Sequence, residues 1–233
     1  MIETRMDGGL CTIFGSIPKA GSSTIRIWLK SLGGAYDAAA ALRLGHGNIV
    51  QTQLGFKGTI PDKLRNDCFT FTFVRDPLDR YVSGLYESHR KSADPANVNV
   101  SALTYAFADE HNTALEWSDP KQNSIFNVGQ LDYLRTRQSN ASTSTWDFVG
   151  RLDHFKEDWI QVHKLIRAKF GRNPWEPSSK PLPDHHGASS ASSATRDSLT
   201  LDLIKIICTM YADDYCCLNI PTPSQCEIAC RGS

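Results

Sequence analysis

The chain predicts an α/β protein: a central parallel sheet flanked by helices on both faces. Two observations carry that expectation. First, segments 10–32 and 69–90 each read as a strand-length apolar run, a short loop and an amphipathic helix. Strands that alternate with helices pair in parallel, because the crossover helix returns the chain to the same edge of the sheet. Second, 233 residues, 40% of them apolar and 21% charged, suffice to build one real core. Residues 1–233 therefore read as a single domain. Lysine plus arginine and aspartate plus glutamate both number 25, so no global field draws polyanions, which argues against nucleic acid. No apolar run reaches the roughly 20 residues of a membrane span. The first strand expected, Leu10 to Phe14, starts too near Met1 to leave room for a signal peptide. Either the protein is soluble where it is made, or the chain is a catalytic domain separated from an anchor in a longer form.

In the first segment, the strand Leu10–Phe14 leads into a loop punctuated by Gly15, Pro18 and Gly21. Three hydroxyls follow, Ser22, Ser23 and Thr24. Then Ile25, Trp28, Leu29 and Leu32 recur at i, i+3, i+4 and i+7, the stripe of a helix that Gly33 and Gly34 stop. A strand, a glycine-bearing loop and a helix opened by hydroxyls make an anion site. The N–H groups of the first turn face the ligand, and the helix dipole favours negative charge there. Lys19 adds a full positive charge, so the expected ligand is a phosphate. Its position is informative. In nucleoside-triphosphate loops, G-x-x-x-x-G-K-[ST], the lysine follows the second glycine. Here Lys19 precedes Gly21, and no lysine follows in the turn.

The residues P-K-A-G-S-S-T, 18–24, resemble the 5′-phosphosulfate loop of the sulfotransferases, P-K-x-G-[ST]-[ST]. That family takes its sulfuryl group from 3′-phosphoadenosine-5′-phosphosulfate (PAPS). The second segment strengthens the resemblance. Phe69, Phe71 and Phe73 alternate with Thr70, Thr72 and Val74 as a strand. Asp76 is placed to cap the next helix, Pro77 suits its first position, and Leu78, Tyr81, Val82 and Leu85 form its buried stripe. R-D-P-x-x-R-x-x-S-x-x-Y, 75–86, is similar to the family's 3′-phosphate motif. The resemblance gives Arg75 and Ser83 the 3′-phosphate.

Between the two motifs, His46 stands in a G-H-G loop. An acceptor hydroxyl must lose its proton as it attacks sulfur, and a neutral imidazole takes it near pH 7. Some glycan sulfotransferases carry a base in a similar G-H segment, so the resemblance nominates His46, with Glu110, His111 and His185 as alternatives. A structural hydrogen bond is the plainer role for this loop histidine. Ser101 is expected to cap a helix, and Ile125, Val128, Leu131, Tyr133 and Leu134 make a further helical stripe. Pro120-Lys121-Gln122 between them resembles a P-x-Q element near the acceptor cleft of carbohydrate sulfotransferases. F-V-G-R-L-D-H-F-K-E-D-W, 148–159, resembles a strand that leads into a scaffold helix in the family. Asp153 is its expected cap, Phe155, Trp159, Val162, Ile166 and Phe170 its apolar face, and His154 and His163 structural. Residues 172–196 are a long Pro/Ser/Ala-rich flexible loop with Lys180, His185 and His186. Asp197 opens the last helix, through Leu203, Ile204, Ile207 and Met210, and I-C-T-M-Y-A-D-D-Y-C-C-L, 207–218, resembles the family's closing Y-x-x-D-x-x-x-F packing element.

Cys11, Cys68 and Cys208 read as small buried apolar residues. Cys216, Cys217, Cys226 and Cys230 crowd the cysteine-rich C-terminal tail, 213–233. Their spacing is no standard zinc pattern, and one or two disulfides in a lumenal enzyme fit it better. Asn99 and Asn140 open N-x-[ST] sequons, which favour a secreted glycoprotein.

The resemblance thus implies a P-loop-like fold and sulfuryl transfer from PAPS to a hydroxyl-bearing acceptor, a carbohydrate above all. Lys19 is the catalytic cation on the leaving oxygen and His46 the base. Lys19, Ala20, Gly21, Ser22, Ser23 and Thr24 hold the donor's 5′-phosphate, Arg75 and Ser83 its 3′-phosphate, and no metal is required. The setting implied is the Golgi lumen for a domain without its anchor, otherwise the cytoplasm. The alternatives are a P-loop kinase using ATP and a non-catalytic nucleotide-binding module.

Overall fold

A computed structural model describes residues 2–7, 10–31, 67–91, 100–102, 104–105, 108, 129–131, 134, 146–173, 196–197, 199–228 and 230. Its strands are β1 (Ile2–Asp7), β2 (Leu10–Gly15), β3 (Cys68–Val74) and β4 (Phe148–Arg151). Its principal helices are α1 (Ser22–Ser31), α2 (Pro77–Lys91), α3 (Phe155–Phe170), α4 (Leu201–Met210) and α5 (Ala212–Cys217). The described residues fall into two compact units. One takes those within Met1–Val74 and Leu134–His185, the other those within Arg75–Tyr133 and His186–Ser233.

The first unit is built on one sheet, ordered β1-β2-β3-β4. As expected of alternating strands and helices, β2, β3 and β4 run parallel. The sheet also begins one strand earlier than expected, with β1 antiparallel to β2 and Asp7 opposite Leu10. β3 lies between two neighbours, and all 7 of its residues are buried. Phe69, Phe71 and Phe73 join Phe14 of β2, Ile25 and Leu29 of α1, and Phe155, Trp159, Val162 and Ile166 of α3 in one core. Trp159 is its centre, with its ring stacked 5.9 Å from Phe73 and edge-on 5.8 Å from Phe71. α3 thus keeps the apolar face its sequence predicts, and it ends at Gly171, whose left-handed φ of 73° closes the last turn.

The threonines of β3 are buried too, and each is satisfied. Thr72 donates its hydroxyl to the Gly15 carbonyl at 2.6 Å, tying the ends of β3 and β2 together. Thr70 donates its N–H and hydroxyl to Asp147, whose carboxylate also receives Lys169 at 3.1 Å. Asp153 does not cap α3 as expected. A 3-10 turn, Leu152–His154, separates β4 from the helix, the N-cap is His154, and Asp153 pairs with Arg151 instead.

Cys11 and Cys68 are buried as expected but are not free thiols: they form a disulfide. The parallel register sets them opposite one another with Cα atoms 4.5 Å apart, within bridging range. The bond closes a loop with a sequence separation of 57. The Cys11→Ala/Cys68→Ala double variant should therefore lose roughly 2–5 kcal/mol in urea unfolding. An unchanged midpoint would show that the bond does not form.

In the second unit, α2 packs against α4. Asp76 caps α2 as its sequence predicts, accepting from the Asp79 N–H at 2.9 Å, and Pro77 is the first helical residue. Leu78, Tyr81, Val82 and Leu85 are buried, and the Tyr81 ring lies 6.2 Å from Tyr211. α4 starts later than expected. Its cap is Thr200, in extended conformation and accepting from the Leu203 N–H, rather than Asp197. Cys208 is bonded to Cys226 rather than free, and Cys216 to Cys230, which leaves Cys217 exposed as a thiol. Cys216–Cys230 is a disulfide within the tail, as its sequence suggests, whereas the tail's Cys226 pairs outside it, with Cys208.

Candidate active site

The Lys19 loop leaves the end of β2 through Ser16 and Ile17 and enters α1 at Ser22. Gly15 is small for a reason. A Cβ there would stand 2.3 Å from the Trp146 ring, which lies over the strand's last residue. Ile17 through Ala20 form a tight turn closed by the Ala20 N–H donating to the Ile17 carbonyl at 3.3 Å. Pro18 takes the second position of this turn and Lys19 the third, with φ 64°. That is the type II pattern, where glycine is the usual third residue. A lysine there carries roughly 1–2 kcal/mol of backbone strain. The turn buries Ile17 and Ala20 and leaves Pro18 and Lys19 partly accessible.

Gly21 also has a positive φ, 73°, and the Ile25 N–H donates to its carbonyl at 3.1 Å, the first bond of the helix. Its missing Cβ matters as well, since one would meet Leu152 at 2.4 Å. Ser22, Ser23 and Thr24 form the first turn of α1, where backbone N–H groups lack intrahelical acceptors. Lys19, Gly21 and these three hydroxyl residues are partly or fully accessible at the start of α1, with Ala20 buried between Lys19 and Gly21. The loop pairs a cation with a helix N-terminus, the arrangement that binds a phosphoryl or sulfuryl group.

The second motif lies in the second unit. Arg75 directly follows β3, whose ladder with β4 ends at Val74 opposite Arg151. Its backbone is held by a residue far along the chain. The Arg75 N–H donates to Gln130 Oε1 at 2.8 Å, and Gln130 Nε2 donates to the Arg75 carbonyl at 2.7 Å. Burial pushes the Arg75 guanidinium down from its ordinary value, with Asp79 and Asp76 opposing that shift, and it stays charged. Burial likewise pushes the Asp76 carboxyl up, against the hydrogen bond from Asp79. Both carboxylates are engaged. Tyr215 donates its hydroxyl to Asp76 at 3.3 Å, and Arg196 forms an ion pair with Asp79. Ser83 is half-buried on α2, one turn beyond Asp79 on the helix's less buried face.

His46 and its alternatives Glu110, His111 and His185 lie outside the described residues, as do Lys180, His186, Pro120 to Gln122, the sequon asparagines Asn99 and Asn140 and most of the loop 172–196. The structure also brings in residues that were not assigned to the donor site. Gln130 bonds to the Arg75 backbone, Tyr215 to the Leu78 N–H and Asp76, Asp214 holds Gln130, and Arg80, inside the motif itself, is fully buried. Arg80 carried a sequence signal as the second arginine of R-D-P-x-x-R, and Asp214 as the aspartate of the closing Y-x-x-D element, read there as packing.

The parallel strands β2, β3 and β4 and the strand–loop–helix order of both motifs define an α/β protein. Residues 4–219 match the model of the sulfotransferase family. The chain belongs to that family; it is a transferase and its reaction is sulfuryl transfer. No curated protein and no solved structure matches it. Among the described residues, no helix is long and apolar enough to cross a membrane.

Proposed function

We propose that the protein transfers the sulfuryl group of PAPS to a hydroxyl of a carbohydrate in the Golgi lumen. One observation carries the donor assignment: the lysine held at φ 64° beside the N-terminus of α1. Strain of this sort is kept where a side chain must be aimed. In this reading the acceptor oxygen attacks sulfur in line, the bond between sulfur and the 5′-phosphate oxygen breaks, and 3′-phosphoadenosine-5′-phosphate (PAP) leaves. Charge grows on that leaving oxygen, where Lys19 neutralises it. Ala20, Gly21, Ser22, Ser23 and Thr24 hold the 5′-phosphate with N–H and hydroxyl groups, and Arg75 and Ser83 take the 3′-phosphate. No step needs a metal.

The disulfides Cys11–Cys68, Cys208–Cys226 and Cys216–Cys230 support an oxidising compartment, since such bonds are rare in the cytosol. His46 is assigned as the base that takes the acceptor proton. His46→Ala should reduce transfer by about 100-fold or more while PAPS binding, measured by calorimetry, stays nearly unchanged. Near-normal turnover in that variant would move the role to Glu110, His111 or His185. Transfer from radiolabelled PAPS across a panel of glycans, tyrosine peptides and small alcohols tests the whole reading. Label on the peptides or alcohols but on no glycan would overturn the carbohydrate acceptor, and turnover with ATP in place of PAPS would overturn the donor.

A further inference from the structure

Arg75 leaves the sheet at a point where strand pairing has ended, so its N–H and C=O need other partners. Gln130 supplies both with one carboxamide, accepting from the N–H and donating to the carbonyl. Two bonds to the same residue fix the planes of the peptides on either side of its Cα. They thereby fix the direction in which the Arg75 side chain sets out. Gln130 is itself fully buried, so its amide is oriented by these contacts rather than by water.

Gln130 is held in turn by Asp214 of α5. One carboxylate oxygen accepts from the Gln130 N–H at 2.8 Å, and the other accepts from the Leu131 N–H at 2.8 Å. Asp214 is 1% exposed and lies in the field of the buried Arg80. Its neighbour Tyr215 reaches the other side of the motif, accepting from the Leu78 N–H and donating to Asp76, both at 3.3 Å. The next residue, Cys216, is bonded to Cys230. Successive residues of one short helix therefore brace the arginine's backbone and the cap of the helix that follows it.

We propose that Gln130 and Asp214 are positioning residues for recognition of the donor's 3′-phosphate, acting through the Arg75 backbone. This rests on the assignment of Arg75 to that phosphate. An unbraced Arg75 would keep its charge but lose its fixed direction. The contact with a phosphate depends on direction as well as charge.

The test compares the affinities of the 233-residue chain for PAP and AMP, which differ only by the 3′-phosphate, by calorimetry. Gln130→Met removes both backbone contacts at similar length. It should lower the PAP-over-AMP preference about tenfold, through weaker PAP binding, with AMP affinity little changed. Gln130→Glu keeps the acceptor, loses the donor and should shift the ratio in the same direction. If Gln130→Met does not fold, Asp214→Asn, which keeps one acceptor oxygen, carries the same comparison. A merely structural role would lower the melting temperature and both affinities together. An unchanged ratio in folded variants, with Arg75→Ala still erasing the preference, would overturn the positioning role alone. Equal affinity of the wild type for PAP and AMP would instead overturn the donor assignment beneath it.

Discussion

Lys19→Ala should lower kcat by about 100-fold or more, the scale of losing one preorganised electrostatic contact. Affinity for PAPS should fall much less. The ammonium matters most where charge develops, on the oxygen that leaves sulfur, and that charge is smaller in the ground state. The backbone supplies a second, independent arm. Lys19 holds φ 64°, which a glycine adopts without strain. Lys19→Gly should therefore lose the same turnover without losing melting temperature, because relief of roughly 1–2 kcal/mol of strain offsets the glycine's greater unfolded-state freedom. Turnover near wild type alongside collapsed PAPS binding would remove the catalytic role. A glycine variant that melts well below wild type would remove the strain from the account.

Arg75→Ala should erase most of the preference for PAP over AMP. The wild type should favour PAP by several kcal/mol, taking roughly 1.5–3 kcal/mol for each hydrogen bond to a charged group. The loss should appear as weakened PAP binding, with AMP affected little, since only the 3′-phosphate is assigned to Arg75 and Ser83. Burial strengthens the expectation: a guanidinium already stripped of much of its water has less hydration to surrender to a phosphate. The Arg75 backbone is bonded to Gln130, so the melting temperature of the variant is compared with wild type before affinities are read. A folded Arg75→Ala variant with an intact PAP preference would remove Arg75 from the site.

Much of the first unit was legible in the sequence, because its signals are local. Apolar runs at Leu10–Phe14 and Phe69–Val74 form strands, and Ile25, Leu29, Phe155, Trp159, Val162 and Ile166 are buried at helical spacing. β1 was also within reach. Asp7-Gly8-Gly9 is a hairpin signal, but Ile2 to Asp7 are mostly polar and do not stand out as a strand. The alternation of Phe with Thr in β3 suggests one wet face. In fact both faces are dry, because Thr70 and Thr72 find Asp147 and Gly15. Whether a threonine meets water or a partner depends on chain elsewhere, and no local period encodes it.

The sequence alone determined the order of strand, loop and helix in both motifs, the place of the lysine ahead of Gly21, and the cap at Asp76. These are short-range properties, set by neighbouring residues and by steric rules that act within one turn. The pairing of Cys11 with Cys68, of Cys208 with Cys226, and the hold of Asp214 and Gln130 on Arg75 were decided only by tertiary structure. Each joins groups far apart in the chain. A buried backbone N–H or carbonyl accepts any partner of matching polarity, so the sequence leaves many pairings equally satisfactory. Folding selects the one that packing of the remaining chain brings within hydrogen-bond or disulfide distance.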